Sequence, residues 1–377
     1  MSKLYLPHAE QFDLMNEHLA NIANALAMDM DISTWAGIQK AVRVGVAPDL
    51  MPVGTQLEVN HSVYGKHLYD VVAHNYFKSA HDKNAHTMTL MSHDIITTAQ
   101  FDAPEAFYYA DVDLMAGRYN FTLAKSESSW AAGTYTFELQ DNVPAGGMLC
   151  ISGNATHTLD SLYVTAYPNG HSDDMICEAM IYLGNEGTSL GTFGVELNHP
   201  QRVSYGSNNY KESAIRQFLN SSSSVGNVWK PQTKFDRHPS WVTSLAGFVG
   251  GFDEDFLSVV GEVIVPCATN NTYESADSIT PKGGKYTVTD RFHLASQKEI
   301  FGTASDFVTD DSVIFPYYEN ATNADRIKYK DGVATVWWLR SPVASGAHNY
   351  QPVGSNGGVS YHGAHANNGV VPVCTIV

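Results

Sequence analysis

The chain has 377 residues, of which 44% are hydrophobic and only 16% are charged, which predicts a well-packed globular protein of two or three domains. Lys and Arg total 22 against 39 Asp and Glu, giving a formal net charge of −17. Nucleic acids and anionic membranes are bound through basic patches, so this balance argues against both as partners. No run of about 18 apolar residues occurs, so we expect no membrane insertion.

The N-terminal stretch MSKLYLPHAEQFDLMNEH contains no apolar segment of signal-peptide length. We therefore expect synthesis in the cytoplasm without a signal peptide. The cysteines at positions 150, 177, 267 and 374 form no CxxC pair. Reduced and mostly buried thiols are expected, with a Cys150–Cys177 disulfide as the alternative.

Apolar residues at heptad spacing predict a helix over residues 8–28. The seam lasts barely two heptads, so it serves either to dock the helix on its own domain or to join chains into a trimer or dimer. The seam residues are Phe12, Met15, Leu19, Ile22 and Leu26.

A second helix is predicted to start at Asp31 or Ser33 and to end at Gly45 and Pro48. Its apolar face consists of Trp35, Ile38 and Val42. We assign residues 1–49 to N-terminal helices that serve assembly or attachment.

Beyond residue 50 the apolar period changes to the alternation of β-strands. Residues 111–197 alternate most strongly, and turns rich in Pro, Asn and Gly separate their strands. We expect them to form an inserted β-sandwich-like module. The strands predicted up to that point are 55–59, 69–74, 87–92, 119–123, 133–139 and 162–166.

Helical spacing returns at residues 207–220, where Ile215, Phe218 and Leu219 form the buried stripe behind an Asn or Ser cap. Acidic residues at the start of 252–260 predict another helix. Further strands are predicted at 261–266, 291–295, 333–339 and 369–374.

Catalytic and metal-binding motifs are not found in the sequence. The sixteen histidines show neither HExxH nor compact Cys/His spacing, and there is no Gly-x-Ser-x-Gly elbow. The segment 281–287 lacks the first glycine of a phosphate loop, and Tyr286 stands where Ser or Thr is required. We therefore expect no catalytic residue, no metal and no cofactor.

The C-terminal segment combines two kinds of sequence. It opens with WWLRSP and closes with GVVPVC, and between them lies ASGAHNYQPVGSNGGVSYHGAHANNG, without Lys, Arg, Asp or Glu. Ser, Gly, Asn and Tyr dominate antibody combining sites, so this composition predicts a binding surface. At least one of Trp337 and Trp338 is expected in the core, and Arg340, if buried, requires a salt bridge or a clamp of carbonyls.

Trp338-Leu339-Arg340-Ser341-Pro342, the polar stretch after it and the closing Gly-Val-x-Pro strand resemble the variable proteins of diversity-generating retroelements. Residues 210–220 and 89–96 resemble the helix and the strand and turn of that family. The resemblance implies an α+β fold, a C-type lectin-like domain related to formylglycine-generating sulfatase-modifying factors. That domain would comprise residues 50–110 plus 198–377, with 111–197 inserted.

In that family, adenine-specific mutagenesis recodes Asn-rich positions on a fixed frame. The frame here would be Trp337, Trp338, Arg340 and Pro372. The implied ligand-binding positions are Ser345, Ala347, His348, Asn349, Tyr350, Val353, Ser360, Tyr361, His362, His365, Asn367 and Asn368.

The resemblance implies a phage-encoded or prophage-encoded host-recognition protein on the virion surface, not an enzyme. It would bind a bacterial surface protein or another macromolecular ligand, with Tyr350 and Tyr361 as exposed anchors. One alternative is an enzyme on the formylglycine-generating fold or a calcium-dependent lectin, although Gln351-Pro352-Val353 lacks the acid of calcium-dependent sugar sites. The other alternative is a structural virion component.

Overall fold

The computed structural model describes residues 30–102, 108–109, 113, 115–123, 133–139, 142, 148–153, 162–167, 191–193, 209–230, 239–268, 284–303, 310–343 and 349–377. The helix predicted over residues 8–28, with its assembly seam, lies outside the described residues.

The fold is α+β and mostly antiparallel β. Its α-helices are α1 Trp35–Arg43, α2 Ala47–Leu50, α3 Ala214–Leu219, α4 Glu254–Val259 and α5 Gln297–Phe301. Short 3-10 helices span Tyr210–Glu212, Ser240–Thr243, Phe248–Gly251, Pro316–Tyr318 and Ala324–Arg326. The strands are β1 Gln56–His61, β2 Gly65–His74, β3 Lys78–Ser79, β4 Met88–Ser92, β5 Thr97–Gln100, β6 Tyr108–Tyr109, β7 Gly117–Leu123, β8 Gly133–Leu139, β9 Met148–Gly153, β10 Leu162–Tyr167, β11 Gly191–Phe193, β12 Val263–Ala268, β13 Lys285–Asp290, β14 Phe292–His293, β15 Tyr329–Lys330, β16 Val333–Ala334, β17 Trp337–Pro342, β18 Asn349–Val353, β19 His362–Gly363, β20 Asn367–Val370 and β21 Val373–Ile376.

Two five-stranded sheets, ordered β1-β2-β4-β21-β14 and β19-β18-β17-β20-β5, form the framework of the fold. A three-stranded sheet β13-β12-β3 and the hairpin β15-β16 accompany them. Strands β6 to β11, from residue 108 to residue 193, form the sheets β10-β9-β6 and β11-β7-β8. In the described part of the chain these six strands pair only with one another.

One antiparallel ribbon runs through both five-stranded sheets. Strand β4 pairs with β21 in the first sheet, and β5 pairs with β20 in the second. The prediction of a single strand over 369–374 is therefore wrong, because the chain passes between sheets at Val371 and Pro372. Pro372 has no N–H to donate to a ladder, while its carbonyl accepts from the Ser92 backbone N–H at 3.0 Å.

Helix α1 confirms the predicted second helix. The Thr34 hydroxyl accepts from the Gly37 backbone N–H at 3.1 Å and caps the first turn. Ile38 and Val42 are buried on the predicted face. Gly45 follows with a φ of +84°, a left-handed conformation that ends the helix without steric cost.

The region predicted as one helix over 207–220 is two elements. Ser213 interrupts it: its hydroxyl accepts from the Arg216 N–H at 3.3 Å, so α3 begins only at Ala214. The predicted stripe Ile215, Phe218 and Leu219 is fully buried. Several Ser and Asn residues between 207 and 213 can cap a helix, so the sequence did not show which of them is the N-cap.

Arg340 lies at the centre of a buried charge cluster with Glu299 and Asp310. Its guanidinium donates two bonds to Glu299, Nη2 to Oε1 at 2.6 Å and Nη1 to Oε2 at 2.7 Å. The side chains of Arg340 and Glu299 are 1% and 0% exposed. Asp310 Oδ2 lies 3.5 Å from Nη2, which adds a second buried carboxylate.

Carbonyl and hydroxyl groups complete the coordination of this guanidinium. Arg340 Nε donates to the Pro266 carbonyl at 2.9 Å, Nη1 to the Leu294 carbonyl at 2.7 Å, and Nη2 to the Ser312 hydroxyl at 3.0 Å. Arg340 therefore makes both the salt bridge and the carbonyl clamp expected for it. Because its N–H groups have acceptors, the buried guanidinium avoids the large desolvation penalty of an isolated buried charge.

Cys267 and Cys374 are buried free thiols. Only the backbone of Cys150 is described, in β9, and Cys177 lies outside the described residues, so a Cys150–Cys177 disulfide stays a prediction. Burial raises the pKa of the Cys267 thiol to about 12. Across the described ranges, no helix has both the length and the apolar character needed to span a bilayer.

Replacing Arg340 by Met should lower the free energy of unfolding by about 3–5 kcal/mol, because Glu299 and Asp310 would remain buried without a counter-charge. Chemical denaturation measures the change. The matched control is Lys66→Met, which removes an exposed ion pair to Glu58 and should leave stability nearly unchanged. Equal stabilities of the Arg340→Met variant and the wild type would contradict the central role of the cluster.

Acid should destabilise the fold through His293. Burial, followed by the nearby Arg340 charge, lowers the pKa of His293 from 6.5 to about 3. Between about pH 6.5 and pH 3, His293 is protonated in the unfolded chain and neutral in the folded protein. The contribution of His293 to stability is therefore complete above about pH 6.5 and is lost as the pH falls toward 3. Between neutral pH and about pH 5 this histidine should account for a loss of about 2 kcal/mol.

Unfolding curves of wild type and His293→Leu, recorded at both pH values, isolate this contribution from other buried histidines. On acidification from neutral pH to about pH 5, the variant should lose about 2 kcal/mol less unfolding free energy than the wild type. Parallel pH dependence of the two proteins would refute it.

Candidate ligand-binding surface

Strand β17 supplies a rigid frame. Trp337 and Trp338 are both fully buried. The Trp337 indole donates to the Arg326 carbonyl at 3.1 Å, and the Trp338 indole donates to the Ala99 carbonyl at 2.8 Å. All four predicted frame residues, Trp337, Trp338, Arg340 and Pro372, are thus buried in the core.

Strand β18 corrects part of the predicted binding set. Tyr350 is fully buried, with its ring centroid 3.4 Å from that of Phe101 and 6.4 Å from that of Trp338. The prediction of Tyr350 as an exposed anchor is therefore wrong. The physical reason is that the Tyr350 ring stacks on Phe101 on the core side of β18, so its side chain is part of the hydrophobic core. Burial also raises the pKa of the Tyr350 phenol well above its usual range.

Two further predicted positions lie inside the fold. Val353 is fully buried opposite Trp337, and Asn368 is only 6% exposed on β20. Their placement supports the surface instead of forming it. Asn349 belongs to β18, but only its backbone is described. Ser345, Ala347 and His348 lie outside the described residues.

A tight glycine-rich turn follows β18. The Gly354 N–H donates to the Gly358 carbonyl at 2.7 Å, and the Gly357 N–H donates to the Gly354 carbonyl at 2.8 Å. Gly357 has a φ of +77°, and a Cβ there would lie 1.7 Å from the Asn323 carbonyl oxygen. Only glycine fits this position. The turn holds the next residues at the outer face.

The residues after this turn are accessible and form what we call the C-terminal surface. Tyr361 is 53% exposed and Val359 is 41% exposed. Asn367 is exposed, and Ser360, His362 and His365 are partly exposed. The C-terminal surface thus consists of Val359, Ser360, Tyr361, His362, His365 and Asn367.

Contacts with neighbouring residues fix the positions of two histidines of this surface. His362 Nδ1 lies 3.1 Å from the Asn368 amide oxygen, and the His362 ring stands edge-on to Trp338. His365 lies against the Gly363 backbone, where a Cβ would approach its Cε1 atom to 2.6 Å. Partial burial lowers the pKa of His365, so this imidazole is neutral at physiological pH.

Residues distant in sequence support the same surface and were missed by sequence reasoning. Gln100 donates from Nε2 to the His365 carbonyl at 2.9 Å and accepts from the Ser240 backbone N–H at 2.8 Å. The Trp241 indole donates to the Gln100 carbonyl at 3.0 Å. No sequence pattern links position 100 to position 365, since the link arises from the pairing of β5 with β20.

The electrostatics of this region differ from those of the rest of the chain. The chain has a net charge of −17, whereas residues 341–377 contain no Lys, Arg, Asp or Glu. Across the described residues, no three His, Cys, Asp or Glu side chains are grouped so that they could hold a metal ion. The arrangement can therefore bind through hydrogen bonds, ring contacts and shape.

Residues 185–377, just over half of the chain, match the family described as "Domain of unknown function (DUF6273)", and the chain belongs to this family. The matched region contains the C-terminal surface, strand β17 and the Arg340 cluster. No curated protein and no solved structure matches the chain.

The two tyrosines predicted as anchors should respond differently to truncation. Tyr350→Ala should cost about 3–5 kcal/mol of unfolding free energy, because it leaves a cavity beside Phe101. Tyr361→Ala should stay within about 0.5 kcal/mol of the wild type, because its ring is half exposed. Thermal and denaturant unfolding of both variants measure the difference, and a large loss in Tyr361→Ala would place that ring in the core.

Proposed function

We propose that this chain is a ligand-binding protein that recognises its target through the C-terminal surface. The observation that carries the proposal is the contrast between frame and surface. Fully buried Trp337, Trp338 and Arg340 hold the frame, while the residues from Val359 to Asn367 present uncharged, adaptable side chains. A rigid support beneath adaptable polar groups is the arrangement used by combining sites.

The finer fold assignment in this proposal is a C-type lectin-like domain. Two five-stranded sheets, joined by a ribbon that pairs residues near 90 with residues near 375, support it. The resemblance of Trp338-Leu339-Arg340-Ser341-Pro342 to variable proteins of diversity-generating retroelements supports hypervariability of the surface. Because Arg340 and Trp338 are buried and paired, substitutions at the exposed positions leave the frame intact.

The biological role that we propose is host recognition on a phage virion, with a bacterial surface protein or another macromolecule as the ligand. A surface of this polar kind supplies modest affinity for a single copy. Several copies on one particle, or a homo-oligomer such as a trimer or dimer, would add avidity without new contacts. The proposed role involves no catalytic step and no cofactor.

Binding of fluorescently labelled full-length protein to a panel of bacterial strains, read by flow cytometry, tests the proposal. The variant that combines Tyr361→Ala, His362→Ala, His365→Ala and Asn367→Ala should lose binding and keep its melting temperature. Tyr329→Ala is the matched control, since Tyr329 is a 43% exposed tyrosine outside the C-terminal surface. Unchanged binding by the fourfold variant would refute the proposal.

Two further measurements separate the alternatives. Loss of binding in EDTA that calcium restores would favour a calcium-dependent lectin instead. Sequencing of the flanking DNA should reveal a near-copy of the segment that encodes residues 337–377, differing at adenines. If no such copy is found, retroelement diversification is refuted while ligand binding stands.

A further inference from the structure

We propose that the C-terminal surface takes a neutral saccharide and holds it without a metal ion. This inference rests on the proposed function, because it names the chemical class of ligand for the same surface. The observation that carries it is an exposed phenol ring among uncharged hydrogen-bonding side chains, in a segment without charged residues from 341 to 377.

The absence of charge in the segment argues against ionic ligands. Recognition of a phosphate, a sulfate or an acidic sugar uses Arg or Lys, and neither occurs between residues 341 and 377. The net charge of −17 would also repel such a ligand. A cationic ligand would need a carboxylate. None occurs between residues 341 and 377.

The hydrogen-bonding groups of the surface match hydroxyl groups. A sugar hydroxyl both donates and accepts, and the Ser360 hydroxyl, the Tyr361 phenol and the Asn367 amide do the same. His362 adds a directed acceptor. The Asn368 amide oxygen, 3.1 Å from His362 Nδ1, can only accept, so in the neutral imidazole a hydrogen bond here places the proton on Nδ1 and leaves Nε2 as the acceptor.

Tyr361 supplies the apolar part of such a site. At 53% exposure it is the most accessible aromatic side chain of the C-terminal surface, and Val359, 41% exposed, lies two positions before it. The C–H face of a pyranose packs on an aromatic ring of this kind, while the ring hydroxyls reach polar neighbours.

A protein epitope fits the same surface less well. The strongest contacts in protein interfaces are clustered Trp, Tyr and Arg residues that become buried on binding. In this segment those residue types are already used inside the fold, since Trp337, Trp338, Arg340 and Tyr350 are all at most 1% exposed. A single exposed tyrosine remains in the described part of the surface, too little for an apolar interface centre.

Titration of full-length protein against arrayed neutral oligosaccharides of glucose, galactose, mannose and N-acetylglucosamine is the direct test, with sialylated and uronic-acid oligosaccharides as comparison. We expect binding to members of the neutral set, unchanged by EDTA and unchanged between about 0.05 M and about 0.5 M salt, because no ion pair contributes. Tyr361→Ala should weaken it at least about tenfold, whereas Tyr361→Phe should retain the stacking and most of the affinity. Tyr329→Ala should bind like the wild type.

Binding to no neutral oligosaccharide, binding confined to acidic ones, or affinity indifferent to Tyr361→Ala would each overturn the inference. A cell assay separates its failure from failure of the proposed function. Periodate treatment of a bound bacterial strain, which destroys vicinal diols, should abolish binding, and protease treatment should not. Periodate-resistant, protease-sensitive binding that still depends on the C-terminal surface would overturn the saccharide and leave ligand recognition standing.

Discussion

The bidentate pair between Arg340 and Glu299 organises the part of the chain that carries the C-terminal surface. Glu299 also accepts from the Ser296 backbone N–H at 2.8 Å and from the Ser312 hydroxyl at 3.0 Å, so the same carboxylate closes the capping box of α5. Arg340 in turn clamps carbonyls at Pro266 and Leu294. One ion pair thus joins β17, β12, the approach to α5 and the chain near residue 312.

That junction fixes the core beneath the C-terminal surface. Strand β17 is held by the Arg340–Glu299 ion pair and by its two indoles, which donate separately to the Arg326 and Ala99 carbonyls. Strand β18 lies against it with Tyr350 packed on Phe101. The residues of the C-terminal surface follow the glycine turn and are exposed or partly exposed, so substitutions there remove little buried area.

The sequence predicted the frame better than the surface. The hydrophobic run around Trp337 made burial predictable, and an arginine within it required a buried partner. The identity of that partner was not predictable, because Glu299 is 41 positions away and carries no local signal. Tyr350 was misplaced because residue composition identifies the kind of side chain in a segment and not the face to which it points. Asn349 to Val353 shows no clear alternation from which the inner face could be inferred.

The strand predictions before residue 110 were close, since β1, β2 and β4 lie where apolar alternation placed them. The prediction of the closing strand was wrong. The apolar pattern over 369–374 is continuous, but the residues before Val371 pair in one sheet and those after Pro372 pair in the other. Long-range pairing decides such cases, and no local period reveals it.

The ribbon between β4 and β21 also has a consequence for how the protein is made. Thr89 and Thr375 face each other in register although 286 positions separate them. On a ribosome, β4 emerges long before β21 has been synthesised. Until then, the edge of β4 that pairs with β21 has no hydrogen-bonding partner, although all five of its residues are buried in the folded protein. Pairings of such high contact order form slowly, so maturation of the first sheet is the step at which chaperones and low growth temperature should raise the yield of folded protein.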